Sequence, residues 1–359
     1  MSDPEIPKIV YLFGAGATHA EKLLECKIKG TGFNELGELE RGGLLASDIS
    51  KRVIDKLFHD KPEIANDYGI TKLSIDDPRL IENADIELLI SLVETLKTDK
   101  SENDVKFLKD FFKKEISENL LVDGNNIIPR LYSSLLELHG LIGHEEQLIG
   151  FLTLNYDSLF EKSFELINKI RFNYGLAIGN PPISCKPEDS YLLKLHGSFD
   201  WYLDLDNNKI IISTKQSEEP LWIPPRLNKE YLDYPYNLIH GKAYELLGQC
   251  DILRVVGCSL NQNDIRLISL LFKTQRLKRL KPYLIEIISP PEACLDIIKR
   301  LGLILSFDES FYDKGWNKFG IDADNSFLDW LYYRAMNIRE KISLEETIYL
   351  KDVEKWINL

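Results

Sequence analysis

The sequence predicts an α/β protein whose parallel sheet carries helices on both faces, with a helical subdomain inserted and further helices at the C-terminus. Three observations carry that prediction. Short, unbroken apolar runs recur: KIVYLF (8–13), LIGFLTL (148–154), YLLKLH (191–196), DILRVVG (251–257) and PYLIEII (282–288). Continuous rather than alternating hydrophobicity suits strands buried on both sides, as in a parallel sheet. Helix-period segments separate the runs, which is the order that builds such sheets. The interval between Phe13 and Leu148 is far longer than one crossover needs.

In chain order, the first run passes through GAGAT (14–18) into a helix-like stretch. DIELLISLVETLK (85–97) sets Ile86, Leu89, Ile90, Val93 and Leu96 along one helical stripe. SENDVKFLKDFFKKEI (101–116) opens on Ser101 and Asp104, a start signal resembling a capping box, and turns Val105, Leu108, Phe111 and Phe112 inward. A third helix begins near Pro129 in NIIPRLYSSLLELHGLI (126–142). NSFLDWLYYRAMNIREKI (325–342) reads as a C-terminal helix with Trp330, Tyr333 and Met336 near helical spacing. The expected division is one domain over residues 1–310, its insert at about 30–145, and a C-terminal helical segment at 311–359.

Hydrophobic residues make up 44% and charged residues 28% of the chain, the balance of a globular protein able to bury a sizeable core. No apolar run approaches the ~18 residues of a membrane span, and MSDPEIPK has the character of no secretory signal. Five widely spaced cysteines include no C-x-x-C pair, so a zinc ribbon is disfavoured and buried thiols in a reducing cytoplasm are expected. The net charge of −13 argues against direct nucleic-acid binding. One basic cluster, KTQRLKRLK (273–281), reads as a solvated helix face.

Four motifs fall at the carboxyl ends of predicted strands. In GAGAT, Gly14 and Gly16 permit a tight turn and close approach to a pyrophosphate at a helix N-terminus. The third glycine of the full dinucleotide fingerprint is replaced by His19, and no acidic strand end follows, which disfavours a conventional dehydrogenase. LTLNYD ends on Asn155 and Asp157; LLKLHGS ends on His196, Gly197 and Ser198; VVGCSL ends on Gly257, Ser259 and Leu260, with Asp264 placed to cap the next helix. Separate helix caps need share no edge, whereas ligands of open α/β sheets bind along this one.

Taken together, GAGAT, TLNYD, KLHGS and GCSL, in this order over residues 10 to about 272, resemble the sirtuin superfamily, whose members cleave the nicotinamide–ribose bond of NAD. The resemblance implies a Rossmann-like sheet. The zinc-binding cysteine quartet of the deacylases and their PDFR stretch have no counterpart here, and the spacing from Asp157 to His196 is short. The chain is more similar to the sirtuin-like domains of bacterial anti-phage defence systems, which destroy NAD; WIPPRLNKE (222–230) also resembles that branch.

The resemblance implies an NAD hydrolase with NAD as substrate and no metal. The amides of Gly14, Ala15, Gly16, Ala17 and Thr18 would hold the pyrophosphate, Ser198, Gly257 and Ser259 would line the adenosine side, and Gly197 and Leu260 would also bind the cofactor. Asn155 would bind a ribose hydroxyl or water, Asp157 would orient that network or stabilise positive charge, and His196 would be the acid–base group. Two other readings use the same pocket: an NAD-dependent protein deacylase, and a non-catalytic NAD or ADP-ribose sensor. An enzyme that empties a cell of NAD needs restraint, so a cytoplasmic homo-oligomer is expected, with a separate sensor, ATPase or Argonaute as partner.

Overall fold

The structure, a computed structural model, describes residues 6–34, 39, 42–68, 85–141, 143, 145–167, 172–176, 190–204, 209–213, 219–225, 233–278, 281–308 and 325–339. Strand β1 (Lys8–Phe13) runs into α1 (Ala15–Lys29). Then come α2 (Ala46–Asp60), α3 (Pro62–Asp67), α4 (Ile86–Glu94), α5 (Asp99–Asn119) and the hairpin β2 (Leu121–Val122) and β3 (Asn125–Asn126). After α6 (Arg130–Leu141) follow β4 (Gln147–Thr153), α7 (Leu159–Ile167), β5 (Phe172–Asn173) and β6 (Ser190–Lys194). A second hairpin, β7 (Trp201–Asp204) with β8 (Lys209–Ile212), precedes α8 (Tyr236–Gln249) and β9 (Ile252–Val256). The described chain ends with α9 (Ile265–Leu277), β10 (Leu284–Ile288), α10 (Pro291–Leu301) and α11 (Ser326–Arg339).

The chain divides into two compact units, the first comprising Met1–Ile28, Ile127–Trp222 and Tyr231–Leu359. Its six-stranded sheet has the order β10-β9-β1-β4-β6-β5, and every pairing is parallel. Register sets Phe13 beside both Thr153 and Val256, and Thr153 beside Lys194. The carboxyl ends of β9, β1, β4 and β6 are therefore level. From β1 the chain builds outward on one side through β4 to β6, then returns to place β9 on the other side. The β1–β9 junction is thus the topological switch point, where open α/β sheets bind ligands.

Helices cover both faces of this sheet. On one face the rings of Phe13 and Phe151 lie 5.0 Å and 4.7 Å from Phe160 of α7, and Tyr132 of α6 lies 4.9 Å from the same ring. Trp330 of α11, fully buried, meets Tyr11 edge-on at 6.2 Å. On the other face α8 packs against β1, β4 and β6. It comes so close at Gly150 that a Cβ there would lie 2.8 Å from the Leu246 side chain. Ile9, Val10, Leu12 and Phe13 are all fully buried, as strands covered twice must be.

The second unit, Lys29–Asn126 with Ile223–Glu230, holds α2 to α5. Its helices are joined by a buried Glu115 that accepts from Arg52 (3.0 Å) and Lys56 of α2. Two expectations fail here. Leu96 is 53% exposed because α4 ends at Glu94, before the stripe closes. The capping box of α5 starts at Thr98 rather than Ser101: Thr98 Oγ1 accepts from the Ser101 amide (3.1 Å), and Ser101 Oγ accepts from the Thr98 amide (2.9 Å). Ser101 is thus the returning partner, not the cap. Phe111 is half-buried, stacked on Phe107 at 5.4 Å. The Arg226–Glu230 end of the proline stretch, Cys185, Arg279, residues 309–324 and residues 340–359 lie outside the described residues. Among the described residues no helix is long and apolar enough to cross a membrane.

Candidate active site

The first strand end is a turn built on close backbone contact. The amide of Gly14 donates to Val256 O (3.0 Å), that of Gly16 to Gly257 O (2.8 Å) and that of Ala17 to Gly14 O (3.0 Å). Three of the five amides expected to face a pyrophosphate are therefore donated within the chain. A Cβ on Gly257, whose φ is +56°, would lie 2.2 Å from the Ala17 nitrogen, and one on Gly16 would lie 2.7 Å from Gly257 Cα. Glycine is required at both positions because the switch-point loops touch backbone to backbone.

Asn155 leaves β4 beside this turn. Its Nδ2 donates to Gly14 O (3.0 Å) and to Thr18 Oγ1 (2.9 Å), so both amide hydrogens are fixed. Thr18 Oγ1 in turn donates to Asp157 Oδ2 (3.2 Å), while Asp157 Oδ1 accepts the Leu159 amide (2.9 Å) at the start of α7. The Asp157 carbonyl is held by Lys194 Nζ (2.5 Å), a fully buried ammonium that also pairs with Glu161 (2.8 Å). The Tyr132 hydroxyl joins the group through hydrogen bonds with Thr18 and Asn155. Burial, then the Asp157 carboxylate, holds its pKa well above the usual phenol range, so it is protonated at every working pH.

His196 follows β6 at the height where Asn155 follows β4, since Thr153 and Lys194 are paired in register. Its ring is buried beneath Tyr156, stacked at 6.1 Å, and its Nε2 lies 3.1 Å from Asp264 Oδ2. Gly197 turns the chain with φ +74°, where a Cβ would strike Leu221 O at 2.2 Å. Ser198 is fully buried; its single hydroxyl hydrogen is donated to Asp200 Oδ1 (2.5 Å), with Tyr156 O 3.0 Å from the same Oγ. After Gly257, Ser259 is exposed and its carbonyl accepts from Arg300 (2.8 Å), whereas Leu260 is fully buried with φ +44°.

The structure thus brings Gly14, Thr18, Asn155 and Asp157 into one hydrogen-bonded group and sets Gly16 against Gly257. It joins His196 to the loop after β9 through Asp264. Sequence reasoning missed Tyr132 and Lys194, which look in the sequence like members of apolar runs. The one available signal was Lys194 itself, a charge inside a predicted buried strand that needs a partner.

Residues 150–286 match a family model described as a SIR2-like domain. That span contains Asn155, Asp157, His196, Gly257 and Asp264, and leaves the Gly14–Thr18 turn outside it. No curated protein matches the chain. Among solved structures, a Sir2 homologue in complex with NAD is 14% identical over 94% of this chain and 91% of its own, with a TM-score of 0.42. One reported as the structural basis for the mechanism and regulation of Sir2 enzymes is 14% identical over 94% and 95%, with a TM-score of 0.37. A Sir2 protein bound to a myristoylated histone peptide is 13% identical over 93% of each chain, with a TM-score of 0.35.

Proposed function

We propose that this chain is an NAD hydrolase, releasing nicotinamide and ADP-ribose. The observation that carries the reading is the pairing of Asn155, tied to Gly14, Thr18 and Asp157, with His196 at the same height on the adjacent strand. The SIR2-like match over residues 150–286 supports the choice of NAD. The absence from the sequence of the deacylases' cysteine quartet supports hydrolysis over deacylation.

The chemistry asks little of the protein. Nicotinamide is attached as a pyridinium, so the C–N bonding pair departs onto nitrogen and leaves a neutral base without protonation. The ribose passes through an oxocarbenium-like transition state. Water then bonds to the anomeric carbon and gives its proton to His196. With both Nδ2 hydrogens of Asn155 held, its Oδ1 accepts from a ribose hydroxyl or that water, and Asp157 supplies negative charge to the developing cation. The pyrophosphate lies at the N-terminus of α1, where the dipole favours an anion and a phosphate oxygen replaces Gly257 O at the Gly16 amide.

Chromatography of NAD incubated with the pure protein tests the proposal. His196→Ala and Asn155→Ala each lower turnover by ~10²–10⁴-fold while the protein still folds, the range of a lost acid–base or positioning group. Either variant turning over NAD at the wild-type rate removes the role assigned to it. Acetyl-ADP-ribose formed only with an acetylated peptide identifies a deacylase, and binding without consumption identifies a sensor. The resemblance to the anti-phage branch further supports a defence role through NAD depletion, which His196→Ala should abolish in a phage challenge.

A further inference from the structure

We propose that Asp264 is a positioning residue for His196: a fixed carboxylate that sets the ring's tautomer and raises its basicity. The inference rests on the reading of His196 as the base. It starts from a carboxylate with two separate engagements. Asp264 Oδ1 accepts the Leu267 amide (3.2 Å) and so caps α9. Its own amide donates to Asn261 O (2.9 Å). Those two bonds immobilise the side chain and direct Oδ2 at His196 Nε2, 3.1 Å away, with the two side chains only 7% and 6% exposed.

Capping alone uses Oδ1. The second oxygen goes to a ring at the far side of two intervening strand ends, since β6 is separated from β9 by β1 and β4. When Nε2–H is donated to Asp264, the lone pair of the neutral imidazole lies on Nδ1, which becomes the atom that accepts a proton. The imidazolium formed is stabilised by the neighbouring buried carboxylate.

The other groups around the ring do not replace that charge. Tyr156 presents its ring, stacked on the imidazole. Asp157 is engaged by Thr18 and Leu159, and Asp200 by Ser198. From α8, His240 sits behind the Leu195 carbonyl, to which it donates (3.2 Å), and burial holds its pKa at about 4, so it is neutral when His196 titrates. Arg266, the first cation of α9, is exposed. Among the described residues, Asp264 is therefore the buried carboxylate paired with His196.

Asp264→Asn separates the two roles, because Asn caps a helix as well as Asp does while carrying no charge. Asp264→Ser, another strong cap, is the second variant. Imidazole NMR titration reads His196 directly, its resonance assigned by loss in His196→Gln. The expected result is a His196 pKa lower by about one unit or more in both variants, the usual effect of removing an opposite charge at this range. The ascending limb of kcat/KM for NAD moves down in pH by the same amount, kcat falls with little change in KM, and the melting temperature holds at pH values above the His196 titration. A folded variant in which His196 titrates as in the wild type overturns the inference. A wild-type protein that leaves NAD intact instead overturns the hydrolase reading, and the NMR titration still decides the pairing.

Discussion

Tyr132 contributes to the site without titrating. Its hydroxyl is buried, protonated and hydrogen-bonded with Asn155 and with Thr18, which together with the Gly14 carbonyl fixes the Asn155 carboxamide. Removing it leaves those partners one hydrogen bond short in a buried setting. Tyr132→Phe should therefore cost about 1 kcal/mol of stability. It should lower kcat for NAD about tenfold, since misorientation of the carboxamide by the equivalent of ~1.4 kcal/mol acts on the transition state. KM should change little. Steady-state kinetics alongside a urea melt checks this, and a variant of wild-type kcat would show that Asn155 holds its orientation unaided. The legibility of these residues differs for a physical reason. Asn155, Asp157 and His196 each interrupt or end an apolar run beside turn-forming residues, so a strand terminus is visible locally. Tyr132 stands among apolar residues in LYSSLLELHG, and its partners are distant in the chain.

At the scale of elements, the strands were readable because burial on both faces writes itself as unbroken hydrophobicity. KIVYLF coincides with Lys8–Phe13, and PYLIEII contains Leu284–Ile288. Helix ends were less readable, since a cap depends on which hydroxyl reaches which amide. Thr98 and Ser101 illustrate the case, as does the close of α4 before Leu96. The start of α6 lay beyond any local signal. Pro129 marks it, but the amides of Leu131 (3.0 Å) and Tyr132 (2.7 Å) are taken by Glu21, a fully buried carboxyl on α1. Glu21 thus sets the helix that carries Tyr132. Burial drives its pKa up to about 8, against the pull of those amides and Arg130. A carboxyl whose folded pKa exceeds its unfolded value stabilises the fold fully below about 4.5 and loses that contribution as pH rises through about 8. Glu21→Gln has no such titration but sets an NH2 donor against one of the two amide N–H groups, where the hydroxyl oxygen of the protonated carboxyl can still accept, which leaves it less stable at low pH. The stability gap between wild type and variant should accordingly narrow from pH 4.5 to pH 8. Thermal melts across that window test it, and a constant or widening gap would show that Glu21 ionises freely in the folded protein.

At the scale of the whole first unit, Arg254 is a charge inside the apolar run DILRVVG, and the fold explains it. The guanidinium is 2% exposed at the middle of β9. It bonds Glu286 of β10 (2.7 Å), Glu146 before β4 (2.6 Å and 2.8 Å) and the Tyr11 hydroxyl of β1 (3.0 Å). Tyr11 meets His139 of α6 (2.6 Å), and Glu146 receives Arg334 of α11 (2.7 Å). Two cations and two anions thus join three strands to α6 and α11, and no local pattern could have revealed partners so dispersed along the chain. Burial opposes ionisation of Glu146, yet Arg254 and Arg334 hold its pKa down at about 2. Its contribution is therefore present above about 4.5 and lost as pH falls towards 2. Arg254→Met keeps the apolar bulk over Tyr11 and Trp330 but takes the guanidinium from the buried Glu286 and leaves Glu146 with Arg334 alone. It should destabilise the protein by about 3–5 kcal/mol at neutral pH, the usual penalty for removing one partner from a buried ion pair. Neutralising the orphan in the double variant Arg254→Met, Glu286→Gln, which leaves the Glu146–Arg334 pair in place, should recover a large part of that loss, because the penalty belongs to the uncompensated charge rather than to the missing guanidinium. Urea unfolding of the three proteins at pH 7 distinguishes the causes. If the double variant is no more stable than Arg254→Met, then the geometry of the arginine, not the balance of charge, is what holds the strands to α6 and α11.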